Sequence, residues 1–231
     1  MTKKFDNFVF DLYGTLIDIH TDEHDPVTWE RWAEWLDERK IKHDTPENMH
    51  DYFFEEDRKA RAIALAEWGF KYPEIDVTLI YRDMFEMYGN DSSELTKEFI
   101  DEAGFAFRKA SHRRIGLFPG VKEFFEKLRR EGKSVYILSN AQRCYTWPEI
   151  CMFGLDKLTD DVLISSDLRC MKPDKAFFKA LSDKHSFDLS RTVMFGDSYE
   201  NDYNGAKSAG WNAVWLANEN SPDKFYLSKK G

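Results

Sequence analysis

Residues 8–20, FVFDLYGTLIDIH, decide how the rest of the chain is read. Phe8, Val9 and Phe10 form a short apolar run that delivers one carboxylate, Asp11, into a turn at Gly14. An apolar run this short, closed by a glycine, is the pattern of a strand buried on both faces in a parallel sheet. Glycine allows a tight turn and a close approach of backbone to ligand. Asp11 is therefore expected at the end of a strand. Two residues later the chain carries Tyr13.

Outward from this strand the rhythm changes twice. From about Asp18 to Gly116 the sequence is helical in character. DPVTWERWAEWLDERK has Asp25 as N-cap and Pro26 at the first helical position, and TPENMHDYFFEEDRKARAIALAEWG repeats the device with Thr45 and Pro46. DVTLIYRDMFEMYG and SSELTKEFIDEAGFAFRKASHRR complete a set of four helices with no strand between them. After Pro119, strand signals (SVYILS, the end of KLTDDVLISS, TVMFGD, NAVWL) alternate with helical ones (GVKEFFEKLRREGK, PDKAFFKALSDKHS, ENDYNGAKSAG). Short apolar runs separated by helices predict an α/β fold, a parallel sheet with helices on both faces. The strand at Val9 is cut off from that sheet by about a hundred helical residues, more than any loop would span, so an inserted cap is expected. The sheet core is assigned to 1–17 and 117–231 and the all-helical cap to 18–116.

Composition excludes several classes of partner. The chain has 231 residues, 42% hydrophobic and 32% charged, an ordinary globular balance. A net charge of −9 argues against nucleic acid, which is held mainly through Lys and Arg. A small anionic substrate is compatible with it, because a metal ion and local lysines reverse the sign of a pocket. No apolar run has the length of a membrane span, and the N-terminus lacks a cleavable leader pattern, so no membrane partner and a cytoplasmic location are expected. Cys144, Cys151 and Cys170 are odd in number and in no metal-ligand spacing, which suits reduced thiols. His20 and His24 have no obvious third ligand and read as part of a solvated turn. These features carry no signal for an oligomeric state.

In a parallel sheet, ligands bind at the carboxyl ends of the strands. The residues expected there are Asp11, then Ser139 and Asn140, then Lys172 in the loop after the third strand, then Asp197. An ionised aspartate can attack an electrophile and form a covalent intermediate that water later cleaves. If the target is a phosphoryl group, two anions meet and cationic help is required. Asp197 with Asp11 offers oxygen ligands for magnesium, and Lys172 offers a fixed positive charge. Asp202, five residues on, is placed to hold metal-bound water or to position Lys172. Thr15, Ser139 and Asn140 are candidate substrate-binding groups, and Arg143 is the best-placed single cation. Taken singly, DLYGT, LSN and KPD are ordinary turn sequences. Their ordered occurrence after apolar strands, with the acid-rich GDSYENDYNGA, points to a site.

This set resembles the haloacid dehalogenase-like (HAD) hydrolase superfamily. FDLYGTL is similar to its nucleophile motif, ILSN to its second motif, KPD to its lysine motif and GDSYENDYNGA to its acidic motif. The resemblance spans the sheet domain and extends to the helical insert. It implies a Rossmann-like core, an aspartyl-enzyme intermediate, and Mg2+ held by Asp11, Asp197, Asp202 and the backbone carbonyl of Tyr13. Phosphatase members usually carry aspartate at the position of Tyr13, and a phenol with a pKa of about 10 keeps its proton at neutral pH. The 2-haloacid dehalogenase branch resembles DxYGT, because a halide leaves without a proton; yet Asp197 and Tyr199 depart from that branch's acidic motif, and Phe178 from its tyrosine. The leading expectation is a magnesium-dependent phosphatase of a small phosphate ester. The alternatives are a 2-haloacid dehalogenase and a weakly active or non-catalytic binding member.

Two further features are weighed. Trp29, Trp32 and Trp35 recur every three residues and, with Phe53, Phe54 and Trp68, are expected to form a core inside the insert rather than a substrate-stacking surface. Arg108, Lys109, His112, Arg113 and Arg114 are expected as a solvated helix end, with an anion-binding role as the alternative.

Overall fold

The computed structural model describes residues 4–216, so 1–3 and 217–231 of the expected core lie outside the described residues. In chain order the elements are β1 (Asn7–Phe10), β2 (Ile17–Thr21), α1 (Pro26–Glu38), α2 (Pro46–Glu67), α3 (Val77–Met87), α4 (Lys97–Ser111) and β3 (His112–Leu117). There follow α5 (Val121–Arg130), β4 (Ser134–Ser139), α6 (Arg143–Phe153), β5 (Asp161–Ile164), α7 (Ser165–Leu168), α8 (Lys175–His185), β6 (Thr192–Gly196), α9 (Gly205–Ser208) and β7 (Asn212–Trp215).

Five strands form one parallel sheet in the order β5-β4-β1-β6-β7. The apolar run that opens the sequence is its central strand, with Phe8, Val9 and Phe10 fully buried. Alternation sorts the side chains: Phe8, Phe10, Ile137 and Phe195 pack with α5 and α6, whereas Val9, Leu138 and Met194 pack with α8 and Trp211. From β1 the chain runs outward through β4 and β5, then returns to place β6 and β7 on the other side. The order thus reverses at β1, which puts a ligand crevice at the carboxyl ends of β1 and its neighbours.

Helices α1 to α4 surround a separate aromatic core. Trp29 and Trp32 are buried in it, Phe53 and Phe107 pack against them, and Trp35, Phe54 and Trp68 lie at its margin. Asp25 and Thr45 cap their helices by accepting from the amides of Val27 and Asn48, as expected from the proline-led starts. Cys144, at the start of α6, completes this core, and all three cysteines are free thiols.

Two features of the insert differ from expectation. The chain enters and leaves it through an antiparallel ribbon, β2 with β3, in which Ile17 faces Leu117. Arg113 and Arg114 therefore lie on a strand, paired with Asp25 and Asp18, rather than on a solvated helix end. Between α2 and α3 the insert also touches the sheet domain. The amide of Met171 donates to Tyr72 O at 3.0 Å, that of Glu74 donates to Arg169 O at 3.0 Å, and Pro73 bridges Cys170. No helix among the described residues is long and apolar enough to cross a membrane.

Candidate active site

Asp11 follows β1 directly and remains 8% exposed. The turn that presents it depends on Gly14, whose φ is +79° and where a Cβ would collide with the Asp197 carboxylate. Across the crevice, Asp197 follows β6, and Thr15 Oγ1 donates to its Oδ1 at 2.9 Å. Gly196 plays the matching part for Asp202, since a Cβ there would overlap that carboxylate. Carboxylate oxygens of Asp11, Asp197 and Asp202 lie within 4.8 Å of one another.

Lys172 is the buried cation of this group. Its Nζ donates to Asp11 Oδ1 and to Asp202 Oδ1, each at 2.7 Å, and the side chain is almost wholly enclosed. Burial alone would discharge the lysine, but the charges of Asp11 and Asp202 outweigh it and raise its pKa above the ordinary value. The same burial raises the Asp202 carboxyl, assisted by the Asp11 charge, while Lys172 pulls the other way. Asp202 Oδ2 accepts from the Ser198 amide at 2.9 Å. Asp202 thus lies in direct contact with Lys172.

The four polar side chains expected to bind substrate are placed in four different ways. Asn140 exchanges two hydrogen bonds with the Lys172 backbone, at 2.9 and 2.8 Å, and so fixes the lysine loop. Thr15 is committed to Asp197. Ser139 Oγ is buried at the end of β4 with no hydrogen-bond partner among the described residues, as expected of a hydroxyl that completes its bonding with a ligand. Arg143 corrects the sequence reading. Its guanidinium pairs with Asp167 and lies over the Trp147 ring, 5.2 Å from the centroid. The residue opens α6, so following Asn140 in sequence does not aim its side chain at the strand ends.

Tyr13 is also turned from the role its position suggests. Its hydroxyl donates to Glu149 Oε2 on α6, with Thr146 Oγ1 3.0 Å away. Glu149 is fully buried and accepts from Arg108 Nε at 3.0 Å and pairs with His112 Nε2 at 2.8 Å. Arg108 reaches on to Glu23 at 3.1 Å and lies 5.3 Å from the centre of the Tyr13 ring. Burial opposes a charge on Glu149, but the bonds from His112, Arg108 and Tyr13 outweigh it and hold the carboxyl below its ordinary range. Burial first, and the Glu149 charge second, push the Tyr13 phenol far above its ordinary range. Sequence reasoning missed Glu149 entirely. Its helix carries Pro148 and shows no clean amphipathic stripe, so only the short interval between β4 and β5 could have signalled it.

A family model described as haloacid dehalogenase-like hydrolase matches residues 5–210. The chain belongs to this family. Among relatives of this HAD hydrolase, the phosphoserine phosphatase of Thermus thermophilus is 29% identical over 153 residues, 66% of this chain and 57% of that protein. The matched stretch therefore spans little more than half of that relative. The (S)-2-haloacid dehalogenase 4A of Burkholderia cepacia is 25% identical over 227 residues, 94% of this chain and 85% of that one. In structure, the 2-haloacid dehalogenase of Pseudomonas syringae pv. Tomato DC3000 superposes with a TM-score of 0.63 at 21% identity, covering 97% of each chain. That likeness shows the shared fold.

Proposed function

We propose that this HAD hydrolase is a magnesium-dependent phosphohydrolase acting on a small anionic phosphate compound, with Asp11 as nucleophile. The observation that carries this reading is the donor set of the site: among the described residues, carboxylate oxygens of Asp11, Asp197 and Asp202 lie within 4.8 Å of one another, with the Lys172 ammonium bound to Asp11 and Asp202. Like charges this close raise one another's free energy unless a cation joins them. The donor set is all oxygen, which suits magnesium, and Asp11, Asp197 and Asp202 would hold it with the Tyr13 carbonyl. When bound, the ion supplies positive charge that allows a phosphate dianion to approach Asp11. Asp11 attacks phosphorus, Lys172 keeps the attacking oxygen aimed and offsets charge, and Ser139 Oγ donates to a phosphoryl oxygen. Residues 18–116 serve as the cap that limits which substrates reach Asp11. Phosphatases among the curated relatives support the same reading.

A second reading, hydrolysis of a carbon–halogen bond, is favoured by one observation. The Tyr13 hydroxyl is bound to Glu149, and halide departure needs no proton. Release of p-nitrophenol from its phosphate ester, with magnesium or with chelator, separates the two readings when Asp11→Asn serves as the blank. Chelator-sensitive turnover, lowered on the order of 10⁴-fold or more in the blank, is the expected result. Chloride release from an (S)-2-chloro acid without phosphatase activity would replace it with the dehalogenase reading.

A further inference from the structure

Resting on the phosphohydrolase reading, we propose that the substrates are phosphate compounds whose leaving group departs as a weakly basic anion, acyl phosphates foremost, because the proton-donor position beside Asp11 has been turned over to a structural network. The hydroxyl of Tyr13, two residues from the nucleophile, is bound to Glu149. Glu149 is fully buried and is itself held by Arg108 and His112, and Arg108 lies against the Tyr13 ring. Turning Tyr13 toward a leaving group would strip a buried carboxylate of a donor, so the network opposes that motion.

The other polar groups around Asp11 are engaged as well. Lys172 is bound to Asp11 and Asp202, Thr15 donates to Asp197, and Asn140 holds the lysine loop. Asp202 has one oxygen on Lys172 and the other on the Ser198 amide. Among the described residues Ser139 Oγ is the exception, and its hydroxyl is no stronger an acid than the alcohol that would leave, so it gives a departing alkoxide little general-acid assistance.

An acyl phosphate needs no such donor. An Asp11 oxygen attacks phosphorus, the bond from phosphorus to the acyl oxygen breaks, and its electron pair leaves on a carboxylate whose conjugate acid has a pKa of about 4. No proton moves. Water then attacks the same phosphorus, the electron pair of the phosphorus–aspartate bond returns to Asp11, and both protons of the water leave on dihydrogen phosphate. An alkyl phosphate offers only a strongly basic alkoxide, which a site without a proton donor expels slowly.

The test is a leaving-group series: kcat/KM with magnesium for acetyl phosphate, p-nitrophenyl phosphate, phenyl phosphate and glycerol phosphate. A positioned acid contributes about 10²–10⁴-fold, so a fall on the order of 10³-fold from acetyl to glycerol phosphate is expected. Tyr13→Phe should leave that gradient in place, and Tyr13→Asp should flatten it by raising the glycerol phosphate rate on the order of 10²-fold. The wild-type gradient and Tyr13→Phe carry the test even where Tyr13→Asp fails to fold. A flat series with chelator-sensitive turnover, or a gradient that steepens in Tyr13→Phe, overturns the inference and leaves the phosphohydrolase reading standing. No turnover of any of the four overturns both.

Discussion

Two charge clusters that share the turn after β1, one through Asp11 and the other through Tyr13, are built on opposite principles. At the strand ends Asp11, Asp197 and Asp202 lie together, with the Lys172 ammonium bound to Asp11 and Asp202. Beneath the insert, one carboxylate, Glu149, faces Arg108, His112 and the Tyr13 hydroxyl, with Glu23 beyond. The second cluster is satisfied by its own chain. The first gathers three carboxylates whose oxygens lie within 4.8 Å of one another, the all-oxygen donor set that the proposed magnesium would use. Burial and charge alone would have ranked the two clusters alike; balance separates them.

The largest effect is expected at Glu149. Replacing it by Gln removes the charge that Arg108 needs, and losing one partner of a buried pair typically costs about 3–5 kcal/mol. Thermal or denaturant unfolding should show a loss of that order, and a loss below about 1 kcal/mol, the scale of an exposed pair, would mean the network is structurally idle. The sign with pH is fixed by the direction of the shift. The folded carboxyl lies below its ordinary value of 4.5, so its contribution is complete above that value and fades as pH falls through the lower folded value. The acid limb of wild-type stability should therefore be steeper than that of Glu149→Gln.

Magnesium sharpens the other half of the contrast. An ion bound only by the folded protein stabilises it by about 2.7 kcal/mol at a hundredfold excess over Kd, so adding it should raise the wild-type Tm. Asp197→Asn should lose most of that rise, and Glu149→Gln should keep it. An equal rise in both variants would erase the distinction between the clusters. The smallest effect belongs to Arg143→Ala. Its pair with Asp167 is partly exposed, worth less than about 1 kcal/mol, and turnover should be unaffected. A large loss of activity would return Arg143 to the site.

What could be read from the sequence followed from strands. Asp11, Lys172, Asp197 and Asp202 each lie just beyond an apolar run or in the loop that follows one, and a parallel sheet gathers its strand ends by construction. The sheet and the four helices of the insert were legible for the same reason, since period and capping residues are local. Partnerships made by packing were not legible. Glu149 meets Arg108 across 41 positions and Tyr13 across 136, and no local pattern encodes either meeting. The ribbon was hidden because HRRIGL continues the polar rhythm of the helix before it, and only pairing with IDIHT makes it a strand.

The contact between insert and lysine loop has a mechanical meaning. The ribbon at one edge of the insert is a pivot, and the bonds from Tyr72 to Met171 and from Glu74 to Arg169 act as a clasp at the other. The segment that carries Lys172 is thus held from both sides, by these two backbone bonds from the insert and by the two that Asn140 makes to the Lys172 backbone, each worth about 0.5–1.5 kcal/mol. Under the proposed chemistry, the position of the insert and the aim of the ammonium beside Asp11 are tied through the same short segment, 169–172.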